Sequence, residues 1–212
     1  MVKISNLTKK FGSHISLDNI NCEFKKNDSI ALMGANGAGK TTLIRSILGY
    51  YHPDSGEVLI NGYSPIKDRT KVLENISFVP QLPPPIKLSI DELINYVSTS
   101  SGVDKELILN YANEMQLDLK SNMSKSFFKL SGGMKQKLLI AISLAKKSDI
   151  IIYDEPTANL DPKARDDFYR LLKQNEQDKV LLFVTHRLEE VQELVNRQIY
   201  MDLGKVVSDE RV

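Results

Sequence analysis

The segment Ser29-Ile30-Ala31-Leu32-Met33-Gly34-Ala35-Asn36-Gly37-Ala38-Gly39-Lys40-Thr41-Thr42 runs from a mostly apolar stretch through a glycine-rich turn into helical spacing. A short apolar run of this kind reads as a strand buried on both faces. After Thr41, the apolar residues Leu43, Ile44, Ile47 and Leu48 recur at helical intervals up to Leu48. The turn between them is the informative part. Glycines let a backbone fold tightly and aim successive N–H groups at one point, with no side chain in the way. The helix that follows adds about half a positive charge at its N-terminus, and Lys40 adds a full one. A polyphosphate is the ligand that such a cradle suits.

Gly34 to Thr42 also matches the spacing G-x-x-x-x-G-K-[ST] of the P-loop, in which Gly34, Asn36, Gly37, Ala38, Gly39, Lys40, Thr41 and Thr42 line the phosphates. Lys40 is placed for the β and γ phosphates, and the Thr41 hydroxyl for Mg²⁺. A second element lies far along the chain. Asp149-Ile150-Ile151-Ile152-Tyr153-Asp154-Glu155 is an apolar strand that ends in two acids. In a P-loop protein an acid at that tip holds the Mg²⁺ shell, the Walker-B role, which falls to Asp154. Glu155, beside the metal without being needed as a ligand, is suited to deprotonate an attacking water.

Around these motifs the N-terminal sixty residues read as strands at Val2–Leu7, Leu17–Phe24, Ser29–Met33 and Glu57–Ile60, with turns at Lys26-Asn27-Asp28 and Pro53-Asp54-Ser55-Gly56. A strand at Ile76–Val79 leads to Pro83-Pro84-Pro85 and then to mostly helical patterns from Ile90 to Phe128. The last third alternates: helix Ser131–Lys146, strand Ile150–Tyr153, helix Pro162–Asn175, strand Val180–Val184, helix Leu188–Val195 and a hairpin over Gln198–Val207. The expected fold is therefore α/β, a layered and mainly parallel sheet with an N-terminal antiparallel β region and an inserted helical subdomain. One domain of residues 1–212 is expected, with 1–82 and 131–212 as its core and 83–130 as the helical subdomain.

Composition sets bounds. The chain has 212 residues, 42% hydrophobic and 26% charged, as in an ordinary globular protein. Lysine plus arginine (28) nearly equals aspartate plus glutamate (27), which leaves no excess charge to draw in nucleic acid or an anionic membrane. No run is long and apolar enough to span a bilayer, and no signal-peptide core opens the chain. Cys22 lies in an alternating segment with Ile20 and Phe24 and reads as a small buried hydrophobe. His14 and His52 have no partners at ligand spacing, so no metal beyond Mg²⁺ is expected.

At Leu130-Ser131-Gly132-Gly133-Met134 the sequence resembles the signature of the ATP-binding-cassette (ABC) proteins, which P-loop proteins at large do not share. Other pieces stand in family order. Phe11 resembles the aromatic that stacks on adenine, and Gln81 the glutamine that reaches Mg²⁺ and water. Ala158-Asn159-Leu160-Asp161 resembles the D-loop, with Asp161 near nucleotide, and His186 resembles the switch histidine that contacts the γ-phosphate. The resemblance implies ATP and Mg²⁺ as cofactors, and head-to-tail pairing in which Ser131, Gly132 and Gly133 of one copy cover the nucleotide of the other. Ser131 also reads directly as a cap for the helix that begins near Gly132. The partners implied are an integral-membrane transporter subunit and a second ATPase subunit, a homodimer being favoured. The place implied is the cytoplasm, peripheral on the inner face of the plasma membrane.

The compact length, the short insert and the Gly62–Gln81 spacing look like the ATPases of ABC-2-type exporters, and within these the ATPase of the nitrous-oxide reductase copper-site maturation system. Ala35, Met134 and Tyr153 depart from the usual pattern, and none removes a catalytic group. A non-transport ABC ATPase acting on ribosomes or nucleic acid is the alternative. It fits less well, because Lys125, Lys129, Lys135 and Lys137 read as a solvated helix edge and no nucleic acid is expected as a partner. A small-molecule P-loop kinase would leave Ser131–Gly133 unexplained.

Overall fold

Alternating apolar and polar residues at the N-terminus produce two long antiparallel strands, β1 (Val2–Phe11) and β2 (His14–Phe24). Val2, Ile4 and Leu7 point inward from β1, while Lys3, Asn6 and Lys10 face solvent. Both strands run further than the apolar alternation suggests. A tight turn pairs Phe11 with His14, and the polar residues Lys9 and Lys10 continue the ladder through two shifts of register, between Leu7 and Lys9 and between Lys9 and Lys10. In the computed structural model, residues 1–175 and 178–212 are described. They fall into one unit of Met1–Ile76 with Asp178–Val212, and a second of Ser77–Gln177.

In the first unit, β3 (Ser29–Met33) leads through the glycine-rich turn into α1 (Lys40–Ile47). β4 (Ser55–Ile60) completes the three-stranded sheet β2-β1-β4. A short helix not evident from the sequence, α2 (Arg69–Glu74), follows. Strand β5 (Ile76–Val79) carries the chain into the second unit. There, α3 (Ile90–Ser101) opens with a reciprocal cap. Ser89 Oγ accepts from Glu92 N, and Glu92 Oε2 accepts from Ser89 N at 2.7 Å. α4 (Lys105–Glu114), α5 (Gly132–Ala145), β6 (Ile150–Asp154) and α6 (Pro162–Asn175) complete this unit, with β6 beside β5.

The chain returns to the first unit with β7 (Val180–Val184), β8 (Arg197–Asp202) and β9 (Lys205–Arg211). β3 lies parallel to β7 on one side and to β8 on the other, and β9 pairs antiparallel with β8. This is the expected mainly parallel α/β arrangement. All five residues of β7 are buried, as are Ile30, Ala31 and Leu32 of β3. Each such leucine, isoleucine or valine contributes roughly 1.5–3 kcal/mol.

One element differs from its expectation. Leu188–Val195 is not an α-helix: only Leu188–Glu190 forms a 3₁₀ turn. The bonds Val191 N to Leu188 O and Leu194 N to Val191 O are of the i→i+3 kind. Apolar residues at 188, 191 and 194 suit three residues per turn as well as they suit the α-helix, and Val191 and Leu194 are buried that way. Cys22 is buried as expected. Burial, and to a lesser degree Asp209, push its thiol up to about 11 against a partial offset from Arg197, so it is no thiolate near neutrality. Among the described residues, no helix is long and apolar enough to cross a membrane.

Candidate functional site

Within the first unit, β3 ends at Met33 and the loop from Gly34 delivers Lys40 to the first turn of α1. Lys40 Nζ donates to the carbonyls of Gly34 at 2.6 Å and Ala35 at 3.0 Å, which folds the ammonium back over its own loop. Gly39 takes φ +102, and a β-carbon there would lie 2.6 Å from the Ser16 carbonyl oxygen. Only glycine fits this junction.

The start of α1 differs from the other long helices. α3, α4, α5 and α6 each have a side-chain oxygen on an N-terminal amide, from Ser89, Asp104, Ser131 and Asp161. α1 has no side-chain cap and no acid in its first turn. Its first amides are donors that the helix cannot itself satisfy, and Lys40 stands among them. These residues fit a polyphosphate. Thr41 is exposed in the same turn, and its hydroxyl is an oxygen donor of the type a hard cation takes.

Ser16 was not apparent from the sequence. Its Oγ lies 2.8 Å from Thr42 Oγ1, a hydroxyl pair that joins β2 to the phosphate loop. Nothing in a separation of 26 residues signals this contact. The β8–β9 turn backs the same loop: Gly204 N donates to Ala38 O, and Asp18 N donates to Gly204 O. Phe11 closes β1 and is 44% exposed, so it is not a core aromatic. Its ring meets Tyr51 edge-on, with centroids 5.1 Å apart. His186 is exposed just beyond β7, and the buried Thr185 before it accepts a hydrogen bond from Arg187 N through Oγ1.

The second unit gathers the other candidates. β6 ends at Asp154, and Glu155 takes φ +47. That left-handed conformation is uncommon outside glycine and turns the chain sharply off the strand. Both acids are half-buried. Tyr153, whose role the sequence left unexplained, is fully buried. Its hydroxyl lies 3.3 Å from Ser143 Oγ of α5, and its ring packs edge-on against Phe168 of α6. Burial drives the phenol far above its ordinary range, with the Ser143 hydroxyl opposing.

Ser131 caps α5, its Oγ accepting from Met134 N at 3.2 Å. A β-carbon on Gly133 would stand 2.9 Å from Asn159 O, so the glycine is what lets this backbone approach. Asn159 Nδ2 donates to the carbonyl of Gln81, whose own side chain is exposed. The stretches containing Gln81, Asn159 and Gly132–Gly133 thus meet in one place, and Asn159 is the residue that joins them. Asp161 Oδ1 accepts from Ala164 N at 2.9 Å, and Lys137 pairs with its other oxygen at 3.5 Å. The Ala164 amide and then Lys137 hold its carboxyl below the usual range against a desolvation cost. Lys137 is therefore not on a solvated edge: its side chain is only 14% exposed.

A family model described as ABC transporter matches residues 17–158. The energy-coupling factor transporter ATP-binding protein of Clostridium perfringens is 31% identical over 227 residues, covering 100% of this chain and 80% of that protein. The phosphate import ATP-binding protein of Spiroplasma kunkelii is 32% identical, covering 98% and 83%. A solved dimeric ATP-binding cassette in a post-hydrolysis state, bound to ADP and Pi, matches with a TM-score of 0.85 and 27% identity, covering 100% of this chain and 98% of that one.

Proposed function

The chain belongs to the ABC transporter family and is an ATP-binding, ATP-hydrolysing subunit that works with Mg²⁺; from that premise we propose how its residues divide the work and what it drives. The observation that carries the reading is the N-terminus of α1, which has no side-chain cap, with Lys40 folded back over the loop that leads into it. Lys40 and the loop amides from Gly34 to Thr42 bind the β and γ phosphates, and Phe11 stacks on the adenine. Thr41, Asp154 and Gln81 are the oxygen donors that would hold Mg²⁺, which when bound neutralises charge developing on the phosphoryl oxygens. Glu155 takes the proton from water as its oxygen attacks the γ-phosphorus and the bond to the ADP oxygen breaks. His186 donates toward the γ-phosphate. Ser131, Gly132 and Gly133 of a second copy, with Asp161 of the adjoining loop, complete the nucleotide's surroundings, so that ATP joins two subunits and hydrolysis releases them.

The output passes to a separate membrane subunit, which places the ATPase on the cytoplasmic face of the membrane. The segment after Gln81, stiffened by Pro83–Pro85 and continued by α3, is the proposed docking region. For direction we favour export, on the compact insert and the Gly62–Gln81 spacing; likeness to a phosphate import protein favours the opposite. Co-reconstitution with the membrane partner in vesicles of defined orientation separates the two.

Glu155→Gln tests the core of this reading. It is expected to retain ATP, to slow hydrolysis by about 10²–10⁴-fold, and to elute at twice the monomer mass when ATP is present. Hydrolysis at the wild-type rate would remove Glu155 as the base.

A further inference from the structure

We propose that Tyr51, braced by Arg45, is a positioning residue that holds the Phe11 ring ready for a purine. This rests on the reading of Phe11 as the base-stacking residue. Phe11 and Tyr51 meet with ring centroids 5.1 Å apart and planes at 75°, the edge-on arrangement that aromatic pairs prefer. Tyr51 does not turn freely, because Arg45 Nη1 donates to its hydroxyl at 2.7 Å. Arg45 belongs to the last turn of α1.

The backbone holds the two rings to each other as well. Asp54 N donates to Thr8 O at 2.9 Å, and Asp54 Oδ2 accepts from Lys10 N at 2.7 Å and pairs with Lys9 at 3.1 Å. Lys9 Nζ in turn stands 5.4 Å from the Phe11 centroid. The segment with Tyr51 and the end of β1 with Phe11 are thus tied together through Asp54, three residues beyond Tyr51.

This gives α1 two tasks. Its first turn carries Lys40, Thr41 and Thr42, and its last turn carries Arg45, about 7.5 Å further along the axis at 1.5 Å per residue. One rigid element therefore sets both the phosphate cradle and, through Arg45 and Tyr51, the place of the base platform. A ring already held in its bound orientation loses little freedom on stacking, which raises affinity with no added contact to the ligand. The Tyr51 hydroxyl oxygen accepts from Arg45.

Calorimetric titration of the full chain with MgATP, and separately with magnesium tripolyphosphate, tests this. Phe11→Ala is expected to weaken ATP about 5- to 100-fold. Tyr51→Ala is expected to weaken it roughly three- to tenfold, with Tyr51→Phe and Arg45→Gln between Tyr51→Ala and wild type. Tripolyphosphate should bind all of them within about twofold of wild type, because the loop amides are untouched. Because the brace acts through the platform, the double variant Phe11→Ala/Tyr51→Ala should bind ATP no more weakly than Phe11→Ala. If Tyr51→Ala does not fold, Tyr51→Phe and Arg45→Gln carry the test by themselves. The brace is overturned if Phe11→Ala loses ATP affinity while changes at Tyr51 and Arg45 do not, or if those changes weaken tripolyphosphate equally. A Phe11→Ala variant with wild-type ATP affinity would instead sink the stacking assignment.

Discussion

Gly39 shows how little freedom a single position in the phosphate loop has. Its φ of +102 and the 2.6 Å approach to the Ser16 carbonyl leave no room for a methyl group. Gly39→Ala should lower stability by about 1–2 kcal/mol or more from backbone strain alone, read as a lower urea midpoint, and should weaken ATP. Gln136 is the opposite case. It is fully buried in α5, and neither side-chain polar atom has a hydrogen-bond partner among the described residues. Replacing it with an apolar residue of similar size, Gln136→Met, should raise stability by roughly 1–3 kcal/mol; a lower urea midpoint would contradict this. Residues of the first kind announce themselves in sequence, because a glycine directly before Lys40 marks a turn that any side chain would obstruct. Ser16, Tyr51 and Asn159 do not, since what matters about them is a neighbour brought in by folding across 26, 40 or 78 residues.

At the level of elements, helix beginnings were the readable feature. Ser131 before Gly132-Gly133 reads as a cap, and the structure has that cap. The two proposed duties of this serine can be separated. Glycine serves almost as well as serine in a helix cap, whereas alanine costs about 0.5–2 kcal/mol. Ser131→Gly should therefore keep the melting temperature close to wild type while slowing ATP-driven pairing of subunits; Ser131→Ala should lower both. Equal loss of stability in the two variants would count against the cap. Strand β6 has its own tie to α5 through Tyr153 and Ser143, and Tyr153→Phe should cost about 0.5–1.5 kcal/mol in urea unfolding. The 3₁₀ turn at Leu188–Glu190 marks where pattern reading stops. Apolar residues three apart satisfy two helix types, and only the backbone bonds distinguish them.

For the molecule as a whole, the order of strands was the least readable feature, although the α/β class itself was plain from alternating motifs and buried runs. β3 lies between β7 and β8, and no local pattern could have named either neighbour. A network of charges reinforces this closure. Asp28, 2% exposed, accepts from Arg197 at 2.8 Å and Arg211 at 2.9 Å, while Arg197 grips Asp209 with two bonds of 2.6 Å. Burial pushes the Asp28 carboxyl up, but the Lys25 amide and the two guanidinium groups together hold it below its ordinary range. A carboxyl lowered on folding adds stability that is complete above the unfolded value, about 3.9, and is lost as pH falls through the folded one. Asp28→Asn should accordingly be less stable than wild type by roughly 1–3 kcal/mol at neutral pH. The gap should close on acidification below about pH 4, followed by chemical denaturation at each pH; a gap constant with pH would refute it.

The position of β3 has a temporal consequence. A ribosome delivers Lys40 early, yet both strands that flank β3 come from Val180 onward, and the turn that backs Ala38 comes at Gly204. During vectorial synthesis the phosphate loop therefore waits for the stretch from Val180 to Gly204 to emerge. A nascent chain of this protein supports its phosphate loop only once residues 180–204 have been made, and its early strands stand open to chaperones for that interval.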